Sequence, residues 1–224
     1  MHRYLDREEA GRALAAALGR YRRDPQAIVL GLPRGGVPVA YAVAQALSLP
    51  LDVLVVRKLG LPMQPELAMG AVASGGALVL NEDVIRYLPP GGEALERVKE
   101  RELLELARRE RAYRGSRPPL EMRGRTGILV DDGLATGATM EAAVQAMRSL
   151  AAGRIVVAVP VASPEARDRV ARDADEVVCL RAPELFSAVG QWYQNFGQTS
   201  DEEVRALLVR AAAARTGGGA AEPC

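Results

Sequence analysis

Short, mostly apolar runs alternate along this chain with stretches in which apolar residues return every three or four positions. The runs at 27–32, 52–56, 128–130, 154–161 and 176–180 have strand length and lack strict apolar–polar alternation. Each therefore predicts a strand covered on both faces. Between them, Leu5, Ala10, Leu14, Ala17 and Leu18 predict a structural helix over 6–20, and Met140, Ala143, Val144, Met147 and Leu150 predict one after the third run. Further helices are expected over 37–47 and 164–172. Repeated strand–helix alternation predicts an α/β fold, a three-layer parallel β-sheet with helices on both faces, in which ligands bind beyond the C-terminal ends of the strands.

Three stretches depart from that pattern. Residues 67–80 suggest two short strands turning at Ser74-Gly75-Gly76. Residues 81–120 read as a helical insertion, with a long charged helix over 93–114 whose apolar content falls mainly at Leu95, Val98, Leu103, Leu106 and Ala107. Its arginines alternate with Glu100, Glu102, Glu105 and Glu110, which favours a solvated, ion-paired face over a nucleic-acid contact. Residues 182–199 collect Phe186, Trp192, Tyr193 and Phe196, and Ser200-x-x-Glu203 opens a last helix as a capping box. The organisation expected is a single domain over 1–215, with the segment 182–214 as a C-terminal elaboration and a disordered Gly/Ala-rich tail over 216–224.

Composition narrows the chemistry. The sole histidine is His2, which removes histidine bases, Ser-His-Asp and Cys-His mechanisms and most zinc chemistry. Cys179 lies in an apolar run and Cys224 is the last residue, so neither suggests a disulfide framework. A formal net charge of +1 implies neither a nucleic acid nor an anionic membrane as partner. Charged residues fill 1–25 and no apolar run approaches membrane-spanning length, so a cytoplasmic protein is expected. A reaction here must run on carboxylates, cations, backbone amides and a hard metal.

Such groups meet in Ile128-Leu129-Val130-Asp131-Asp132-Gly133-Leu134-Ala135-Thr136-Gly137-Ala138-Thr139-Met140. The small residues 133–139 let several backbone N–H groups converge at a helix N-terminus, where the first amides lack partners and the dipole favours an anion. No lysine follows the glycine, so the loop is not that of the nucleoside-triphosphate enzymes. Thr136 and Thr139 add hydroxyls. Asp131 and Asp132 would repel a phosphate at close range and suit a vicinal diol or a hydrated divalent cation. Phosphate, diol and metal within one loop's reach point to a sugar phosphate.

The string VDDGLATGAT resembles the 5-phosphoribosyl 1-diphosphate (PRPP) loop of the type I phosphoribosyltransferases. LPRGG, with Arg34 where hypoxanthine-guanine enzymes have lysine, resembles their diphosphate loop, and VRK resembles the segment after the next strand of adenine and related enzymes. The resemblance implies transfer of the 5-phosphoribosyl group from PRPP to a nitrogen acceptor, most simply a nucleobase in nucleotide salvage, with Mg²⁺ as cofactor and diphosphate as product. It implies that Asp131 and Asp132 are catalytic, hold the ribose hydroxyls and bind magnesium partly through PRPP. The 5-phosphate would lie on Ala135, Thr136, Gly137, Ala138 and Thr139, and the diphosphate on Arg34, Gly35, Arg57 and Lys58. It further implies a cis peptide bond at Pro33-Arg34, a flap over 60–80 that closes on PRPP, and a hood in which Trp192, Tyr193 and Phe196 bind the acceptor. A homodimer is compatible with the family. Hypoxanthine-guanine enzymes place an aspartate where this chain has Ala135, so the acceptor stays open, as does a non-catalytic PRPP-sensing protein of the same fold.

Overall fold

The computed structural model describes residues 3–62, 64–86, 93–115 and 117–217, without the side chains of residues 64–67, 94 and 215–217. In chain order the elements are α1 (Arg7–Ala17), β1 (Ala27–Gly31), α2 (Gly36–Leu47), β2 (Leu51–Val53), β3 (Val56–Leu61), β4 (Gln64–Ala73), β5 (Ala77–Leu80), α3 (Glu82–Ile85), α4 (Glu93–Arg114), β6 (Thr126–Val130), α5 (Ala138–Ser149), β7 (Arg154–Val159), α6 (Pro164–Val170), β8 (Glu176–Cys179) and α7 (Asp201–Gly217). Helix α7 runs to Gly217, and the rest of the segment expected as a tail, 218–224, lies outside the described residues.

Five strands form the expected parallel sheet in the order β2-β1-β6-β7-β8. The apolar runs lack alternation because alternate residues feed two cores. Val29, Ile128, Val130, Val156 and Ala158 pack with α1, α2 and α7, whereas Leu30, Leu129, Ile155, Val157 and Val159 pack with Met140, Val144 and Met147 of α5 and Ala166 and Val170 of α6. Each such aliphatic side chain, fully buried, stabilises the layers by about 1.5–3 kcal/mol. After β1 the chain steps to one side for β2, while β6, β7 and β8 extend the sheet on the other. The topological switch point therefore falls between β1 and β6, where an open parallel sheet has its natural crevice.

The expected strand over 52–56 divides. Its first half, β2, joins the parallel sheet, and its end enters a separate antiparallel sheet, β3-β4-β5. The break is held by the buried Ser74, whose hydroxyl accepts the Val55 amide at 3.0 Å. The segment expected as a flap is anchored at its base. Leu59 and Met69 are fully buried in a cluster with Val98 and Leu106 of α4, and Ala73 and Ala77 pack on Ala146 of α5. Met63 and the side chains of 64–67, at the hairpin tip, lie outside the described residues.

Helix α4, the expected insertion, covers one face of this second sheet and also contacts α7. Its buried stripe is Val98, Glu102, Leu106 and Tyr113, while Leu103 and Leu104 face outward, Leu104 at 73% exposure. A glutamate in the stripe is what apolar periodicity could not show, and its partner is Arg57, on the face of β3 that α4 covers. Among the described residues no helix is long and apolar enough to cross a membrane.

Candidate active site

Strands β1 and β6 run side by side, so their C-terminal loops emerge together at the switch point. The Leu32 amide donates to the Val130 carbonyl at 2.9 Å, and Pro33-Arg34 is a cis peptide, as the resemblance implied. Gly35 and Gly36 let this loop approach the acidic pair. A side-chain carbon at Gly36 would lie 2.6 Å from the Val130 oxygen and 2.8 Å from Cα of Asp131, and one at Gly35 would collide with the Asp132 carboxylate.

The loop after the acidic pair turns its carbonyls inward. The Leu134 amide donates to the Val161 carbonyl at 3.0 Å, the Ser163 amide to the Leu134 carbonyl at 2.9 Å, and the Ser163 hydroxyl to the Ala135 carbonyl at 2.8 Å. Gly137 then takes a left-handed conformation with φ of 76°, tight against Ala166, and starts α5. The Ala138 amide has only a 3.4 Å contact with the Thr136 hydroxyl. Among the described residues the amides of Ala135, Thr136, Gly137 and Thr139 have no protein acceptor. Ala135, Thr136 and Thr139 are exposed and Gly137 is buried, so the turn carries unused donors at a helix start beside solvent, an arrangement suited to a phosphate.

Each acidic side chain is held by one oxygen. Oδ1 of Asp131 accepts the Asp132 amide at 2.9 Å, and Oδ2 of Asp132 accepts from Nε and Nη2 of Arg7, both at 2.9 Å. The other oxygen of each has no protein donor among the described residues and is not sealed from solvent. Burial, then the charge of Asp132, holds the Asp131 carboxyl well above the usual carboxylate range. Burial also raises Asp132, against the opposing pull of Arg7. Proximity of an anion pair in a partly dry site favours a ligand that brings hydroxyls or positive charge. Among the described residues no cluster of three or more acidic, histidine or cysteine side chains could hold a metal. The pair suits Mg²⁺ only where a ligand's oxygens and water complete the coordination shell.

The cations expected at the diphosphate face different ways. Successive residues of a strand face opposite sides. Arg57 faces α4, where Nε and Nη2 bond to Oε2 of the buried Glu102 at 2.8 and 2.6 Å. Lys58 faces α5 and lines a cavity of about 430 Å³ with Gly70, Ala138, Glu141 and Arg169, beside the start of the phosphate loop's helix. Arg34 is 40% exposed and lies 3.9 Å from Asp201, which also accepts the Tyr113 hydroxyl at 2.7 Å. Burial and that bond push Tyr113 up to about 12.

The three aromatics expected at the acceptor do not lie together on one surface. Trp192 and Tyr193 are each 3% exposed and pack with Tyr4, Ala10 and Val161, because their large rings close the gap between α1 and the sheet. Tyr193 serves the site from behind: its hydroxyl donates to the Asp132 carbonyl at 2.6 Å, and burial raises its pKa. Only Phe196 of the three is exposed; it stacks on Tyr193 at 5.0 Å, with the Arg7 guanidinium 4.0 Å from its ring centre. Arg7 and Glu102 are the residues that sequence reasoning missed, and α1, expected beside the core, also brings Arg7 to the acidic pair. One local cue existed for Arg7: a cation in the first turn of a helix runs against the dipole and needs a reason.

Residues 2–193 match the family described as the phosphoribosyl transferase domain. Two relatives from Mycobacterium tuberculosis strains, named provisionally as phosphoribosyl transferases, are 51% identical over 211 residues, covering 94% of this chain and 47% of theirs. The chain thus spans about half the length of the curated relatives it matches. The crystal structure of TT1426 from Thermus thermophilus is 48% identical, covers 93% of this chain and 98% of its own, and superposes with a TM-score of 0.84.

Proposed function

Because the chain belongs to the phosphoribosyl transferase family, we propose that it transfers the 5-phosphoribosyl group of PRPP to a nitrogen acceptor, most simply a nucleobase, and releases diphosphate. The single observation that carries this reading is that, among the described residues, the amides of Ala135, Thr136, Gly137 and Thr139 have no protein acceptor, directly after two carboxylates that each keep one oxygen open, at the sheet's switch point.

On this reading the 5-phosphate sits on Ala135, Thr136, Gly137, Ala138 and Thr139, and the ribose diol meets the open oxygens of Asp131 and Asp132. Arg34 and the Gly35 backbone face the diphosphate, Lys58 approaches from the α5 side, and Arg57 joins only by leaving Glu102. Bound Mg²⁺ would neutralise diphosphate charge as the C1–O bond breaks. Positive charge then grows on the sugar ring, and the fixed carboxylates favour that state over the ground state. The acceptor nitrogen adds at C1 from the side of Phe196. A cytoplasmic location and a role in nucleotide salvage accompany the proposal.

A PRPP-sensing protein without turnover is the second reading, favoured by the capture of Arg57 by Glu102. Thermal stabilisation by PRPP with Mg²⁺, followed by diphosphate release against purines, pyrimidines and small amines, separates the two. Release with one acceptor class establishes the transferase; stabilisation without release supports the sensor. A protein that PRPP neither stabilises nor reacts with would refute both.

A further inference from the structure

Resting on the transferase reading above, we propose that Arg7 is a positioning residue for phosphoribosyl transfer: it aims the Asp132 carboxylate at the ribose and ties that carboxylate to the 195–199 segment beside the acceptor.

Local structure brings Arg7 to the site. The Asp6 side chain caps α1 by accepting the Glu9 amide at 2.8 Å, which sets where the first turn begins. Helix α1 then packs closely on α2, because at Gly11 a side-chain carbon would lie 2.6 Å from both the Ala42 Cβ and the Val39 oxygen. Close approach of the two helices leaves the first turn of α1 beside Gly35 at the start of α2, and Arg7 next to Asp132.

The guanidinium is held on two edges and one face. Nε and Nη2 bond to Oδ2 of Asp132, Nη1 donates to the Gly197 carbonyl at 2.8 Å, and the Phe196 ring centre lies 4.0 Å from Cζ. The side chain is only 12% exposed, and its planar fork fixes the direction of its donors. Rotating the Asp132 carboxylate would break two charge-assisted bonds, so its second oxygen stays turned to the crevice. Tyr193, stacked on Phe196, holds the same residue by its carbonyl. Asp132 is thus held at both ends, at its carbonyl by Tyr193 and at its carboxylate by Arg7, which is itself bonded to Gly197. Among the described residues Asp131 makes no ion pair, and its carboxylate accepts the Asp132 amide.

The test uses the full chain with PRPP and magnesium. Arg7→Gln slows diphosphate release by about 30-fold or more while the PRPP dissociation constant changes less than about threefold, and Arg7→Lys recovers part of the rate. Added guanidinium raises the rate of Arg7→Ala by about tenfold and leaves the wild type unchanged. A release rate in Arg7→Gln within about threefold of wild type, or a loss fully explained by weaker PRPP binding, overturns the proposal. A second arm needs no substrate. Amide exchange across 195–199 in the ligand-free protein accelerates by about tenfold in Arg7→Gln and in Asp132→Asn alike; unchanged exchange in both overturns the tie to the carboxylate. Wild-type protein that releases no diphosphate from PRPP with any acceptor refutes the transferase reading and the aiming role with it, while exchange decides the tie on its own, so the two failures are told apart.

Discussion

Two regions near the candidate site treat their polar groups in opposite ways. In the loop after β6, carbonyls are satisfied from within and amides are left open, so Ala135, Thr136, Gly137 and Thr139 present donors that folding did not use. Where α4 packs on β3 and β2, charges are used up by one another: Arg57 of β3 is bonded twice to Glu102, and Arg114 bonds Asp52 of β2 through Nε and Nη2. A buried polar group without a partner costs stability, so leaving several open at one exposed turn marks where a ligand is to be met. A paired cation on a sheet face first marks how two layers are held together. Sequence alone cannot separate the two cases, because an arginine after a strand looks the same whether its partner is a ligand or a glutamate.

Substitutions at the open groups should change chemistry, and substitutions at the closed pairs should change stability. Asp132→Asn is expected to have the largest effect, lowering turnover by about two to three orders of magnitude while PRPP still stabilises the fold; unchanged turnover would remove the acidic pair from the chemistry. Gly137→Val comes next. It forces a branched side chain into a left-handed turn packed on Ala166, at a cost of about 1–3 kcal/mol, and displaces the amides, so PRPP affinity by calorimetry should fall by about 30-fold. Full affinity in that variant would show that the amides are not the phosphate contact.

Glu102→Gln sharpens the contrast from the other side. It leaves the partly exposed Arg57 without its counter-charge, and after discounting for solvent screening the expected loss is about 1–2 kcal/mol, read as a fall of about 2–8 °C in melting temperature. PRPP affinity should stay level or rise as Arg57 is released; a marked fall would make Glu102 part of the ligand site. The smallest effect belongs to Arg97→Gln, whose exposed pair with Glu93 on the outer face of α4 should contribute less than about 0.5 kcal/mol and leave both assays unchanged.

The phosphate loop and the parallel sheet were legible in the sequence because both are local. The five runs fell within a residue or two of the observed parallel strands except at 52–56, where the second half turned into another sheet. The cis bond at Pro33-Arg34 followed from the resemblance of five contiguous residues. The aromatic segment was not legible at this level for a physical reason: a large ring gains free energy either by stacking on a ligand or by filling a core, and composition is the same in both cases. Trp192 and Tyr193 went to the core and Phe196 stayed at the surface.

The sequence by itself determined the layered α/β architecture, the place of the phosphate turn and the two adjacent acids, since periodicity and turn chemistry act over a few neighbouring residues. Only the tertiary structure decided which charges are open. Arg7 reaches Asp132 across 125 positions and Arg57 reaches Glu102 across 45, and such pairings depend on how whole helices pack against the sheets. They leave no periodic trace in the chain because a single long-range bond repeats nowhere.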